Sequence, residues 1–207
     1  MTDRIASDRL EKLEALRAAA IDPYPARVPQ PTAIAACLEG IDARQGETVV
    51  VGGRLGQVRD FGKLRFAHLR DRTGEIQIGF RRDDLAGFWP QRKLVETADH
   101  VVVRGELGKT QKGEDTVWAH EVTLAGKCLR HPPEKWHGMK DTEARYRQRY
   151  ADLFANPEVR DTFVLRSRIV QELRRYFHLL GYLEVETPIL QPIFGGATAR
   201  PFTTHHN

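Results

Sequence analysis

The sequence predicts an α+β chain organised around a small closed β-barrel, with helical structure before and after it. Three observations predict this. From Thr48 onward the chain breaks into five short runs rich in β-branched residues, with turn signals about every ten positions. A stretch able to form a short helix separates the third run from the fourth. Apolar residues at helical spacing flank the β-rich region on both sides, from Leu10 to Leu16 and from Phe163 to Leu180.

In chain order, Ser7 or Asp8 is placed to cap a first helix. Its Leu10, Leu13 and Leu16 recur at helical spacing while Arg9, Glu11, Lys12 and Arg17 face away. That helix should stop before Asp22-Pro23. The segment DPYPARVPQP, Asp22 to Pro31, holds four prolines, cannot be helical, and reads as a stiff extended arm. Ile34 to Leu38 adds one helical turn. The strands are expected at Thr48 to Arg59, Lys63 to Asp71, Glu75 to Phe80, His100 to Gly108 and Thr116 to Ala125. Arg72-Thr73-Gly74 and Lys112-Gly113-Glu114 supply tight turns. Between the third and fourth strands, Leu85, Phe88, Trp89 and Leu94 can seat a short helix on the sheet. Five strands with a helix between the third and fourth is the order of an OB-fold barrel. An immunoglobulin-like sandwich would want about seven strands and no such helix. Gly52-Gly53 inside the long first strand would permit the coiling that closing a small barrel requires.

After Cys128 the composition shifts, and HPPEKWHG, His131 to Gly138, reads as a proline-bearing linker. Asn156-Pro157-Glu158 starts a long helix, with Asn as N-cap and Pro in the first turn. Phe163, Leu165, Ile169, Leu173, Tyr176, Phe177 and Leu180 form its apolar stripe, and Gly181 is its natural C-terminal stop. Leu183, Val185 and Ile189 then suggest a strand. The expected domains are therefore 1–47, a helix and proline-rich arm; 48–130, the barrel; 131–155, a linker; and 156–207, the start of a second domain.

The chain has 207 residues, 41% hydrophobic and 29% charged, with apolar runs of only a few residues, so neither disorder nor a membrane span is indicated. Met1 to Ala20 is rich in Arg, Asp and Glu where a signal peptide needs an apolar stretch, so a cytoplasmic location is expected. Cys37 and Cys128 lie far apart without CxxC or Cys/His ligand spacing and read as ordinary thiols. A net charge of +4 and a pI near 9.2 fit a polyanionic partner. Positive charge concentrates in RYRQRY, Arg145 to Tyr150, and RSRIVQELRR, Arg166 to Arg175. Solvated helix faces are the plainer explanation of those two runs.

The stretch GYLEVETPILQPIFGGATARPFTTHHN, Gly181 to Asn207, with the helix before it, resembles the first signature of class II aminoacyl-tRNA synthetases: a long helix, then a strand ending in proline. Pro188 matches the invariant position. EARYRQRYADL before the helix and GGATARPFTTHHN after the strand are similar to the bacterial-type lysyl-tRNA synthetases. The resemblance implies that residues 156–207 open an antiparallel α/β catalytic domain and that Pro188 belongs to a homodimer interface. It implies that Gly195, Gly196 and Ala197, which lack bulky side chains, border a lysine pocket; a plain tight turn is the alternative. The full enzyme would use ATP and Mg2+ to activate lysine and transfer it to tRNA-Lys.

On the barrel, Arg59, Phe66 and Gln77 resemble the anticodon-reading trio of class IIb synthetases, in which the phenylalanine stacks on the central base while arginine and glutamine bond its edge. From the residues alone, Phe66 could equally be core, since it shares a face with Leu64. Gln77 lies opposite Ile76 and Ile78 by alternation, as a groove-facing reader or as an ordinary surface glutamine.

The resemblance implies two ATP-binding arginines, one in an F-R-x-E segment and one ending a later glycine-rich stretch; neither segment is found in these 207 residues, so no catalytic residue is assigned. On this reading the chain is an N-terminal fragment that ends just after the first signature, binds tRNA and has no activity of its own. No Ser/His/Asp arrangement, P-loop or zinc spacing offers another activity. Arg200 is either an anion binder or an anchor for the glycine turn, and adjacent His205 and His206 would point opposite ways on a strand, so no metal is assigned. Two other readings stay open: a free-standing OB-fold RNA-binding and dimerisation module, and an aspartyl- or asparaginyl-type relative. Leu165, Ile169 and Phe177 are expected to be left exposed.

Overall fold

A computed structural model describes residues 2–132, 139–188 and 204–205. The chain divides into two compact units, Met1–Pro133 and Glu134–Asn207.

The first unit opens with helix α1, Thr2–Ala18. It begins earlier than expected, so Ser7 and Asp8 are interior positions rather than caps. Thr2 to Ala6 contains no proline or glycine, and extending a formed helix through such residues costs little. Its inward face also differs from the expected stripe: Leu13 and Leu16 are buried, Leu10 is half exposed, and Arg9 is buried. Arg9 lies one turn before Leu13 on the same face. Its guanidinium is satisfied there, donating to Cys128 O at 2.7 Å and Thr97 O at 3.1 Å.

The proline-rich arm then crosses the barrel. Lys127 N donates to Pro23 O at 3.1 Å, Tyr24 Oη to Lys127 O at 3.1 Å, and Thr32 forms a parallel bridge to Val51. Helix α2, Ile34–Leu38, is the single turn expected. Its first amides donate to Asp71 Oδ2 at 2.9 Å and Thr73 Oγ1 at 3.0 Å, which fastens it to the turn between the second and third strands.

The strands are β1, Thr48–Phe61; β2, Leu64–Arg70; β3, Glu75–Arg81; β4, His100–Lys109; and β5, Asp115–Gly126. They close in the order β1-β2-β3-β5-β4, with β4 returning to β1. Only β3 and β5 pair in parallel. The first half of β1 pairs with β4 and the second half with β2, and Arg54 is in register with both Arg70 and His100. At that crossover a Cβ on Gly53 would sit 2.3 Å from Arg70 O, so glycine is required where the strand changes partners. Val51, Leu69, Ile78, Val101, Val103 and Val117 fill the interior with no exposed surface.

The insertion between β3 and β4 carries a 3-10 segment, Trp89–Leu94. Leu85 and Trp89 are buried, and Phe88 stacks on Phe80 at 6.3 Å. Arg65, also buried, donates to Arg92 O and to Val95 O at 2.8 Å, clamping the end of this segment to the barrel. At its exit, Lys127 Nζ donates to Leu94 O, Glu96 Oε1 and Asp99 Oδ2, each at 2.9 Å. Asp99 also accepts from Glu96 N at 2.9 Å and Cys128 N at 2.8 Å. This charged pair has no exposed side-chain surface and is fully supplied with partners, as buried ions must be.

The second unit holds α3, Thr142–Arg147; α4, Arg149–Ala155; and α5, Pro157–Leu179. The first two lie where a linker was expected. Asp141 caps α3 by accepting from Ala144 N at 2.6 Å. Asp152, with no exposed surface, accepts from Arg145 Nε at 2.9 Å, from Arg149 Nη1 and from Asn156 Nδ2 at 2.6 Å. Burial by itself would raise its pKa, yet the bonds from Asn156 and Arg145 and the charges of Arg145 and Arg149 hold it below the usual carboxylate range. Asn156 occupies the N-cap position of α5 but its side chain does not cap, because it is committed to Asp152 and Met139 O. The helix ends as expected at Gly181, with φ 84°: Tyr182 N bonds Phe177 O at 3.1 Å and Gly181 N bonds His178 O at 3.0 Å, a Schellman closure.

The strand expected at Leu183 and Val185 does not form. These residues are 83% and 73% exposed, and no described segment pairs with them, without which a strand has no ladder. Gly195, Gly196, Ala197, Ile189, Arg200 and His206 lie outside the described residues.

Candidate nucleic-acid interface

Residues paired across a sheet share a face, so the register alone sorts the barrel into inside and outside. Ala67 pairs with Ile78 and Leu69 with Ile76, all pointing inward. The outward rows run Arg59, Phe66, Gly79, Trp118 and His68, Gln77, Thr116 across β1, β2, β3 and β5. The three barrel residues singled out in the sequence thus fall on one continuous outer face.

Phe66 is partly buried, and its neighbours are rings rather than core aliphatics. Phe61 meets it edge-on at 6.2 Å and 68°, and Trp118 at 5.9 Å and 62°. Trp118 lies flat on the sheet because Gly79 lets it: a Cβ there would be 2.5 Å from the indole ring. Above the indole stands the Arg81 guanidinium, 3.7 Å from the ring centroid, a cation–π contact worth about 0.5–1 kcal/mol at an exposed site. Phe66 is thereby held upright in a row of aromatic rings.

Gln77 is only 4% exposed. Its Oε1 accepts from Thr116 Oγ1 at 3.0 Å, with Glu114 O at 2.9 Å competing for the same hydroxyl proton. Its amide nitrogen makes no hydrogen bond among the described residues. The side chain therefore sits low in the face with its acceptor occupied and its donors open. Arg59 is exposed, with Nη2 3.3 Å from His68 Nε2.

Charge is graded along the face. At the turn end, Arg70 is paired with Glu75 at 2.7 Å, and His68 lies 3.3 Å from Glu75 and 3.8 Å from Glu114. At the hairpin end, Arg59, Lys63, Arg81 and Arg82 are exposed together with Asp60, Asp83 and Asp84, of which Asp60 lies 3.5 Å from Arg65 and Asp84 3.7 Å from Arg81. Most arginines of the basic helical runs are paired, Arg166 and Arg168 being exposed without an ion pair among the described residues. Arg145 and Arg149 bind Asp152, Arg147 binds Glu143, Arg174 binds Glu184 and Arg175 binds Glu172. The plainer view of those runs fits what their side chains do.

Phe61, His68, Arg81 and Trp118 join this face without having been singled out. Alternation from Thr116 could have found Trp118, but its neighbours depend on the parallel pairing of β3 with β5, which no local pattern announces. Phe61 falls outside the expected strand because β1 runs two residues past Arg59. Among the described residues no group of three or more His, Cys, Asp or Glu side chains could hold a metal, and no helix is long and apolar enough to cross a membrane.

Comparison with known proteins matches this architecture. Residues 49–125 match the OB-fold nucleic acid binding domain family, and residues 141–207 match the tRNA synthetases class II (D, K and N). The chain is 50% identical over 210 residues to a lysine–tRNA ligase of Roseiflexus castenholzii, covering 99% of this chain and 43% of that protein. It is 46% identical over 200 residues to the lysine–tRNA ligase of Carboxydothermus hydrogenoformans, covering 96% and 41%. The corresponding figures for Chloroflexus aurantiacus are 43% over 208 residues, 98% and 42%. The chain therefore spans less than half the length of the curated relatives it matches.

Proposed function

We propose that the chain belongs to the class II tRNA synthetases of the D, K and N group, that its barrel binds the anticodon of tRNA-Lys and that the whole protein is a lysine–tRNA ligase. The observation that carries the reading is the outer face of the barrel, where Phe66 stands in an aromatic row beside Arg59 and Gln77. A phenylalanine fixed on both flanks is a stacking platform whose ordering cost is already met, and base stacking on such rings contributes about 1–3 kcal/mol. With Oε1 held by Thr116, Gln77 offers donors, which suit a base edge rich in carbonyl acceptors, as uracil is. Arg59 adds donors and a positive charge at the rim.

In the whole protein, ATP and Mg2+ would supply the phosphoryl chemistry that activates lysine, in the cytoplasm and in a homodimer. Within this chain Gly195, Gly196 and Ala197 would border the lysine and Pro188 would lie at the dimer interface. Names of the relatives favour lysine over aspartate or asparagine. The chain's own contribution is recognition: it orients the tRNA by its anticodon and assigns none of its residues to the chemical step.

Substituting Phe66→Ala tests the reading directly. Affinity for the anticodon stem-loop of tRNA-Lys should fall about tenfold, the equivalent of about 1.4 kcal/mol, with urea unfolding of the barrel near wild type. Unchanged affinity would remove Phe66 from the site. Variation of the bases flanking the central uridine separates lysine from the aspartate and asparagine readings.

A further inference from the structure

The tip of the β1–β2 hairpin carries a second exposed ring that the anticodon trio does not use. Phe61 is 62% exposed and lies on the same outer face as Phe66, edge-on to it at 6.2 Å. An aromatic side chain left this open at a turn does not contribute to the core. Two cations lie at the same turn. Lys63 follows the Gly62 turn, and Arg82 is drawn beside Lys63 by a backbone bond, Arg82 N to Lys63 O at 2.9 Å. Both are exposed, and neither has an ion-pair partner among the described residues.

The third ring of the row is not comparably open. Trp118 rests on Gly79 with one face and is covered by Arg81 on the other. A base adjacent to one seated on Phe66 thus finds an uncovered ring on the hairpin side alone. The charge distribution agrees, because at the opposite end of the face Arg70 is already engaged by Glu75 and Glu114 adds a further carboxylate, whereas Lys63 and Arg82 are unpaired among the described residues.

We propose that Phe61, Lys63 and Arg82 form a second nucleotide subsite. Phe61 stacks on the unpaired base next to the one held by Phe66, while Lys63 and Arg82 hold the phosphates at that step. The combination of an exposed ring and uncompensated cations is the chemistry of single-stranded nucleic-acid binding. This subsite rests on the reading of the outer face as the anticodon site.

The test uses the full chain and a stem-loop RNA with a uridine-rich loop, prepared intact and with single abasic nucleotides at, before or after the central position. Phe61→Ala should weaken binding of the intact RNA about fivefold. That loss should disappear on one of the two RNAs abasic beside the centre, whereas the loss from Phe66→Ala should disappear on the RNA abasic at the centre. Phe61→Leu, which keeps the apolar bulk without a ring, should bind like Phe61→Ala. Removing Lys63 and Arg82 should reduce the salt dependence by about 0.7 in log–log slope for each phosphate no longer neutralised. If Phe61→Ala binds as tightly as wild type while Phe66→Ala does not, the subsite is wrong and the anticodon face stands. If neither matters, the face itself is wrong. An equal loss on every RNA, or full rescue by Phe61→Leu, would show that the residue shapes the hairpin and would overturn stacking.

Discussion

In the barrel unit Leu69, Ile78, Val101 and Val103 have no exposed surface, whereas on α5 Leu165, Ile169, Leu173 and Phe177 keep 50–58% of theirs. Both regions carry strong apolar periodicity, so the contrast does not come from composition. A sheet that closes on itself provides the cover for its own inward face. A single long helix provides none, and its stripe must be covered by something else or remain open. The three residues expected to be left exposed, Leu165, Ile169 and Phe177, are so. Stability within the described residues therefore resides in the barrel, and α5 adds little to it.

The largest test of that contrast is the buried charge pair. Lys127→Met leaves Asp99 buried without its cation, a change that typically costs about 3–5 kcal/mol. Urea unfolding followed on the barrel tryptophans should show a loss of this size. A loss below about 1 kcal/mol would mean that the network joining α1, the 3-10 segment and β5 is not part of what holds the unit together.

A matched pair of truncations sharpens the comparison. Leu69→Ala should destabilise by about 2–5 kcal/mol, as fully buried leucines do. Leu173→Ala, 54% exposed, should fall within about 0.5 kcal/mol of wild type. Equal costs at the two sites would mean that the stripe on α5 is buried in solution.

Acid gives the smallest effect. Burial alone would raise the pKa of Asp71 and Glu96. Hydrogen bonds to Asp71 from Ile34 N, Thr73 and Gly74 N, and to Glu96 from Lys12 and Lys127, instead hold both below their ordinary values. A carboxylate depressed in the folded state stabilises it above its unfolded pKa and loses that contribution as pH falls through the folded value. Barrel stability should therefore decline below about pH 4. Asp71→Asn, which cannot ionise, should flatten part of that decline, and an unchanged acid limb would contradict the role given to Asp71.

Much of the barrel was legible because its signals are local. Each strand is a short alternating run between turn residues, and the observed limits differ from the expected ones by no more than two residues. Arg9 was misread because periodicity counts apolar residues and ignores an arginine whose guanidinium finds carbonyls 88 and 119 residues further along the chain. The strand at Leu183 was misread because alternation describes a side-chain pattern, while a strand exists only with a neighbour. Arg59, Phe66 and Gln77 could be named from resemblance. That they share a face with Trp118 follows from the β3–β5 pairing, between residues about 40 apart, and from Gly79 making room for the indole.

The central claim is that RNA is recognised on the barrel's aromatic face and not along the basic helices. Hydrogen exchange of the full chain, with and without the anticodon stem-loop of tRNA-Lys, tests it most directly. Added RNA should protect amides in 59–68, 77–82 and 116–120 and leave α3 and α5 unchanged. Protection confined to 142–179, with the barrel unaffected, would contradict it.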